Sequence, residues 1–110
     1  MMHLRPSLLV CVLACLSSAG QGQTRDAEAG RAKAQMCAVC HGPSGVSNAP
    51  DATHLAGQPA IYLAAQLRAY RSGARVHEIM AVMAKPLSDD DISNLAAWYA
   101  SIRIEVQLPH

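Results

Sequence analysis

At 110 residues and a formal net charge of +1, the chain has the length of one domain and none of the basic excess that marks a nucleic-acid binder. It has no phenylalanine, one tryptophan and three tyrosines, so aromatic bulk cannot fill a large core. Both facts point away from a large enzyme and toward a small domain that needs help to close its interior.

The first stretch stands apart. Arg5 is the only charged residue of Met1–Pro6, and residues 7–18 (SLLVCVLACLSS) are apolar or small throughout. Ser17-Ser18-Ala19-Gly20 follows, then a polar run from Gln21 to Asp26. A basic start, a short apolar core and a small-residue cleavage site make a secretory signal peptide. The apolar core, roughly 12 residues, falls short of the ~20 that a spanning helix needs. We therefore read residues 1–22 as the signal, cut between Ala19 and Gln23, and residues 23–110 as one mature domain exported to the periplasm, with no membrane span. Val12-Leu13-Ala14-Cys15 loosely resembles a lipoprotein cleavage site, and a lipid anchor at Cys15 is the lesser alternative. Cleavage leaves Cys37 and Cys40 as the only cysteines.

Residues 26–37 (DAEAGRAKAQMC) are good helix formers except Gly30. Thr24 or Asp26 can cap this helix, and Gly30 in its middle suggests close approach of another helix. The helix runs into Cys37-Ala38-Val39-Cys40-His41. Two cysteines spaced by two residues and followed at once by histidine form the attachment pattern for c-type haem. Each sulfur can bond a haem vinyl group, and His41 can reach the iron from one face. CxxC alone also fits a thiol–disulfide pair or half of a zinc site, but no βαβ pattern surrounds it here.

Pro43, Gly45 and Pro50 make residues 42–51 a loop, and Pro59 suits the first turn of the next helix. Residues 60–72 (AIYLAAQLRAYRS) are the clearest helix, with Ile61, Leu63, Ala64, Leu67 and Tyr70 at helical spacing and Gly73 as its stop. Arg68, Arg71 and Arg75 cluster here, either to offset haem propionates or dock a partner, or as a solvated face. Residues 74–86 have no clear periodicity and read as a methionine-bearing loop ending at Pro86. Ser88 then caps a last helix opened by Asp89, Asp90 and Asp91, with Ile92, Leu95, Ala96, Tyr99 and Ile102 as its buried stripe. The tail from Glu105 to His110 reads as exposed. The residues alone leave Met80, Met83, His54, His77 and His110 open as partners to His41 across the iron. Met36, beside Cys37, cannot easily cross to the far face.

Ala29-Gly30, Lys33-Ala34, the CAVCHG at 37–42, Leu55-Ala56-Gly57-Gln58, Tyr62-Leu63, Gln66-Leu67, Tyr70-Arg71-Ser72-Gly73, Met80, and Leu87 to Ser101 together resemble a class I c-type cytochrome, of the small bacterial c4 or c553 kind. The resemblance implies an all-α cytochrome c fold, three main helices and loops around one covalently bound haem c. It implies that the first and last helices cross near perpendicular beside the haem, with Trp98 or Tyr99 packed at Gly30. It implies thioethers at Cys37 and Cys40 and an iron held by His41 and Met80, Met83 falling where an apolar residue is usual. The implied function is one-electron carriage between donor and acceptor redox partners, without catalysis, by a monomer or a subunit. The alternative is a haem-bearing subunit of one particular periplasmic oxidoreductase complex. One position departs from the pattern. Thr53 stands where these cytochromes usually have the proline whose carbonyl accepts from the proximal histidine.

Overall fold

The computed structural model describes residues 26–110; the expected signal, its cleavage site and Cys15 lie outside them. The first helix, α1 (Ala27–Lys33), starts where its sequence can satisfy its free amides. The Asp26 carboxylate accepts from the Glu28 and Ala29 amides at 2.9 and 3.0 Å. The helix tightens into a 3-10 turn at Ala34–Met36 and resumes as the single turn α2 (Ala38–His41). Gly42, at φ +82°, ends it. A Cβ there would lie 2.0 Å from the Val46 carbonyl oxygen, so the turn admits only glycine.

The loop from Gly42 to Pro59 folds back on itself. The Gly45 carbonyl accepts from both the Leu55 and the Ala56 amides, at 2.7 and 3.0 Å. Helix α3 (Ala60–Ser72) follows Pro59 and stops at Gly73 in the left-handed conformation. Helix α5 (Asp89–Ser101) opens on a complete capping box between Ser88 and Asp91.

Between them the structure corrects the sequence reading. Residues 78–84, expected as loop, form a helix, α4 (Glu78–Ala84). EIMAVMA consists mostly of good helix formers, and His77 supplies the missing start signal. Its Nδ1 accepts from the Met80 amide at 3.2 Å, a role usually filled by Ser, Thr, Asp or Asn.

Helix α5 organises the rest, packing on α1 and on α3, while α4 packs on α3. Gly30 is buried at the first contact: a Cβ there would lie 1.9 Å from the Asn94 carbonyl oxygen and 2.9 Å from Trp98 Cβ. Trp98 thus packs at Gly30, as expected, and Tyr99 lies instead against Gly45. The Asn94 side chain also accepts from the Asp26 amide at 2.9 Å, and Lys33 pairs with Asp91 at 3.2 Å. The buried cluster is Ala34, Leu63, Ala84, Leu87, Ile92, Leu95, Ala96 and Tyr99. Its largest fully buried side chains are Ile92 and Leu95. No described helix is long and apolar enough to cross a membrane.

Candidate functional site

The single turn α2 decides how the cysteines and histidine are presented. Cys37 and Cys40 are three residues apart and Cys37 and His41 four, so the helical turn brings Cys37 next to each of the other two. The turn is closed by the His41 amide donating to the Cys37 carbonyl at 3.0 Å. Both thiols are free. Cys40 is exposed; Cys37 is half-buried beside the Tyr99 hydroxyl. Burial pushes the Cys37 thiol above its ordinary range, partly offset by the hydrogen bond with Tyr99. Burial, and then the neighbouring Cys37, push the Tyr99 hydroxyl up as well. Among the described residues, no group of three or more histidine, cysteine, aspartate or glutamate side chains comes together to hold a metal.

His41 carries the most informative contact. Its Nδ1 lies 2.8 Å from the Thr53 carbonyl oxygen. A carbonyl can only accept, so Nδ1 carries the proton and Nε2 keeps its lone pair free. This is how metal-ligating histidines are commonly held, the bond orienting the ring and raising its basicity. Threonine at 53 therefore keeps the hydrogen bond expected of proline there.

Met80 stands apart from this turn, half-buried in the first turn of α4. Met83, also half-buried, is three residues on and lies beside it on the same helix. His77 is committed elsewhere, capping α4 and meeting the Tyr70 ring edge-on at 6.3 Å. His110 lies in the exposed tail. Two of the three arginines are likewise engaged within the chain. Arg71 donates to the Leu87 carbonyl at 2.9 Å and to Asp89 at 2.6 Å, and Arg75 donates to Gln66 at 2.7 Å while stacking on Tyr70.

Sequence reasoning missed Ser47 and His54 as partners. Buried Ser47 donates through Oγ to the Cys40 carbonyl at 2.8 Å, and its amide donates to His54 Nδ1 at 2.9 Å. A histidine directly after position 53 was the only available signal. The donor set fits a covalently bound haem: two free thiols on one helical turn, an imidazole with its outer nitrogen free, and thioether side chains on a separate helix.

Comparison with known proteins agrees. The family model for cytochrome c matches residues 27–103. The chain belongs to the cytochrome c family. As a cytochrome c it carries covalently bound haem c with its iron. It is 44% identical over 79 residues to cytochrome c-554(548) of Halomonas halodenitrificans, spanning 69% of this chain and 95% of that one. It is 40% identical over 100 residues to cytochrome c4 of Pseudomonas aeruginosa, spanning 90% of this chain and 50% of that one. A thiosulfate dehydrogenase electron acceptor of Thiomonas intermedia is 43% identical over 72 residues, 64% of this chain and 33% of the relative. Among solved structures, reduced recombinant cytochrome c4 from Pseudomonas stutzeri superposes with a TM-score of 0.69 at 38% identity, over 73% of this chain and 47% of that one. The chain thus spans about half the length of the cytochromes c4 that it matches.

Proposed function

We propose that this cytochrome c is a periplasmic one-electron carrier in which Cys37 and Cys40 would bind the haem through thioethers and His41 and Met80 would hold its iron. The haem supplies a reversible one-electron couple, and the chain's residues set its geometry and potential. His41 carries the reading. Its Nδ1–H donates to Thr53 at 2.8 Å, which leaves Nε2 as the ligating nitrogen. Met80 would provide the weaker, softer thioether ligand, and methionine–histidine ligation raises the potential relative to two histidines. The seat of Met80 in a capped turn, its amide tied to His77, supports Met80 over Met83. The leader pattern of residues 1–22 supports export to the compartment where such haems are attached.

The ferric absorption spectrum tests this reading. The weak long-wavelength band of methionine–iron ligation is expected in the wild type, lost in Met80→Ala and kept in Met83→Ala. The opposite pattern would move the ligand to Met83, and a wild type without the band would end the methionine assignment.

A second reading is a haem-bearing subunit or dedicated acceptor of one oxidoreductase complex. It is favoured by the likeness to a thiosulfate dehydrogenase electron acceptor and, at 40% identity over 71% of this chain, to the thiosulfate dehydrogenase TsdBA of Marichromatium purpuratum. A stable complex with an enzyme subunit on native purification would select it; a chain that purifies alone and accepts electrons from several donors would select the free carrier.

A further inference from the structure

The carbonyl that orients His41 belongs to a peptide with little else to hold it. Among the described residues, neither Thr53 nor His54 makes a backbone-to-backbone hydrogen bond. The loop is pinned just before them, where the Ala52 amide donates to the Ala49 carbonyl at 3.3 Å, and just after them, where Leu55 and Ala56 donate to Gly45. Threonine does not fix its own backbone angle as proline does. Two side-chain contacts bridge the gap. One is the His41 bond to the Thr53 carbonyl itself. The other is His54 Nδ1, which accepts from the amide of Ser47 at 2.9 Å.

Ser47 is a firm anchor. It is 8% exposed, its Oγ donates to the Cys40 carbonyl at 2.8 Å, and the same oxygen accepts from the Ala49 amide at 3.0 Å. The contacts close a ring: His41 to Thr53, by peptide bond to His54, to Ser47, to Cys40, and by peptide bond back to His41. His41 is thereby held through both its ring and its preceding residue.

Resting on the assignment of His41 as the iron's ligand, we propose that His54 is a positioning residue for it: by anchoring to Ser47, His54 fixes the Thr53 carbonyl and so sets the orientation and basicity of the His41 imidazole. Only the acceptor at Nδ1 is required. A backbone N–H points at that nitrogen, so a residue with an acceptor at the same reach can substitute and one without cannot.

The test is the midpoint potential of the haem-loaded, full-length protein as wild type, His54→Ala and His54→Asn. It is run at about pH 8, above the range where histidine side chains commonly charge. Asp51 is the other titratable group lining the open groove where His54 sits. A less tightly held His41 bond makes a weaker donor and disfavours the ferric state, so His54→Ala is expected to raise the potential. A roughly tenfold change in the ferric-to-ferrous preference reads as about 59 mV for a one-electron couple. His54→Asn, with Oδ1 as acceptor, is expected to return to the wild-type value.

Amide exchange at Ser47 is followed in parallel and is expected to quicken in His54→Ala alone. A potential that stays at the wild-type value in His54→Ala, or an asparagine variant that behaves like alanine, overturns the inference. So does faster Ser47 exchange with no shift in potential, because His54 would then be structural only. A wild-type spectrum lacking imidazole-bound iron would overturn the function proposed above, and this inference with it.

Discussion

A methyl group at position 30 would sit 1.9 Å from the carbonyl oxygen of Asn94 and 2.5 Å from its carbon. Both atoms are backbone of α5, so no side chain can swing aside. Gly30→Ala must push two helices apart, and overpacking of this kind costs about 1–3 kcal/mol or more. Gly73→Ala offers the contrast. Nothing lies within 4 Å of a Cβ there, and only the left-handed backbone at φ +83° is strained, a cost of roughly 1–2 kcal/mol. Urea unfolding of both variants is expected to rank Gly30→Ala as the more damaging, and the reverse order would mean that the helix contact yields more easily than its distances imply. The close approach at Gly30 was legible because a glycine amid good helix formers needs a reason. The turn from Cys37 to His41 stood out for a different reason: its pattern is written in five adjacent residues. Ser47 and His54 did not, because their partnership forms only when the loop closes in space, and no local pattern distinguishes a histidine that accepts from an amide from one in solvent.

Among the elements, α5 carries the clearest start signal and α4 the least expected one. Ser88→Ala removes half of the capping box, and such caps are worth about 1 kcal/mol; a lowered thermal midpoint with an unchanged haem spectrum is the expected result. Asp91, the other half, has its carboxyl held below the usual carboxylate range, first by the Ser88 amide and then by Lys33. A folded-state value below the unfolded one adds stability that is present above about pH 4 and is lost as pH falls through the folded value. Asp91→Asn is therefore expected to lower stability at neutral pH and to flatten the acid limb of the stability curve. An acid limb as steep as that of the wild type would move that dependence to other carboxylates. Helix α4 escaped the sequence reading because its apolar residues sit on no consistent face, and Ile79 and Val82 remain exposed. Its start depends on His77, a residue whose capping role shows only in the folded chain.

At the scale of the whole molecule, the protein's own atoms make a modest interior. Four of its eight buried cluster residues are alanine or tyrosine: Ala34, Ala84, Ala96 and Tyr99. Small domains of this kind draw stability from a bound group. A Cys37→Ser/Cys40→Ser chain, unable to form thioethers, is expected to lose most of its far-ultraviolet helical signal and its cooperative thermal transition. Retention of both would show that the polypeptide folds by itself. The all-helical class was readable from spacing and punctuation alone, whereas the helix pairings needed the resemblance to known cytochromes or the structure itself.

The pairing of α1 with α5 has a further consequence in time. Asp26 and Asn94, which share a hydrogen bond across that contact, are 68 residues apart in sequence. Contacts of such long range form late, because the chain between them must first be gathered in. In a chain that emerges from its amino end, Cys37, Cys40 and His41 precede Tyr99 and the rest of α5. Only the arrival of the last helix places the Tyr99 hydroxyl beside Cys37.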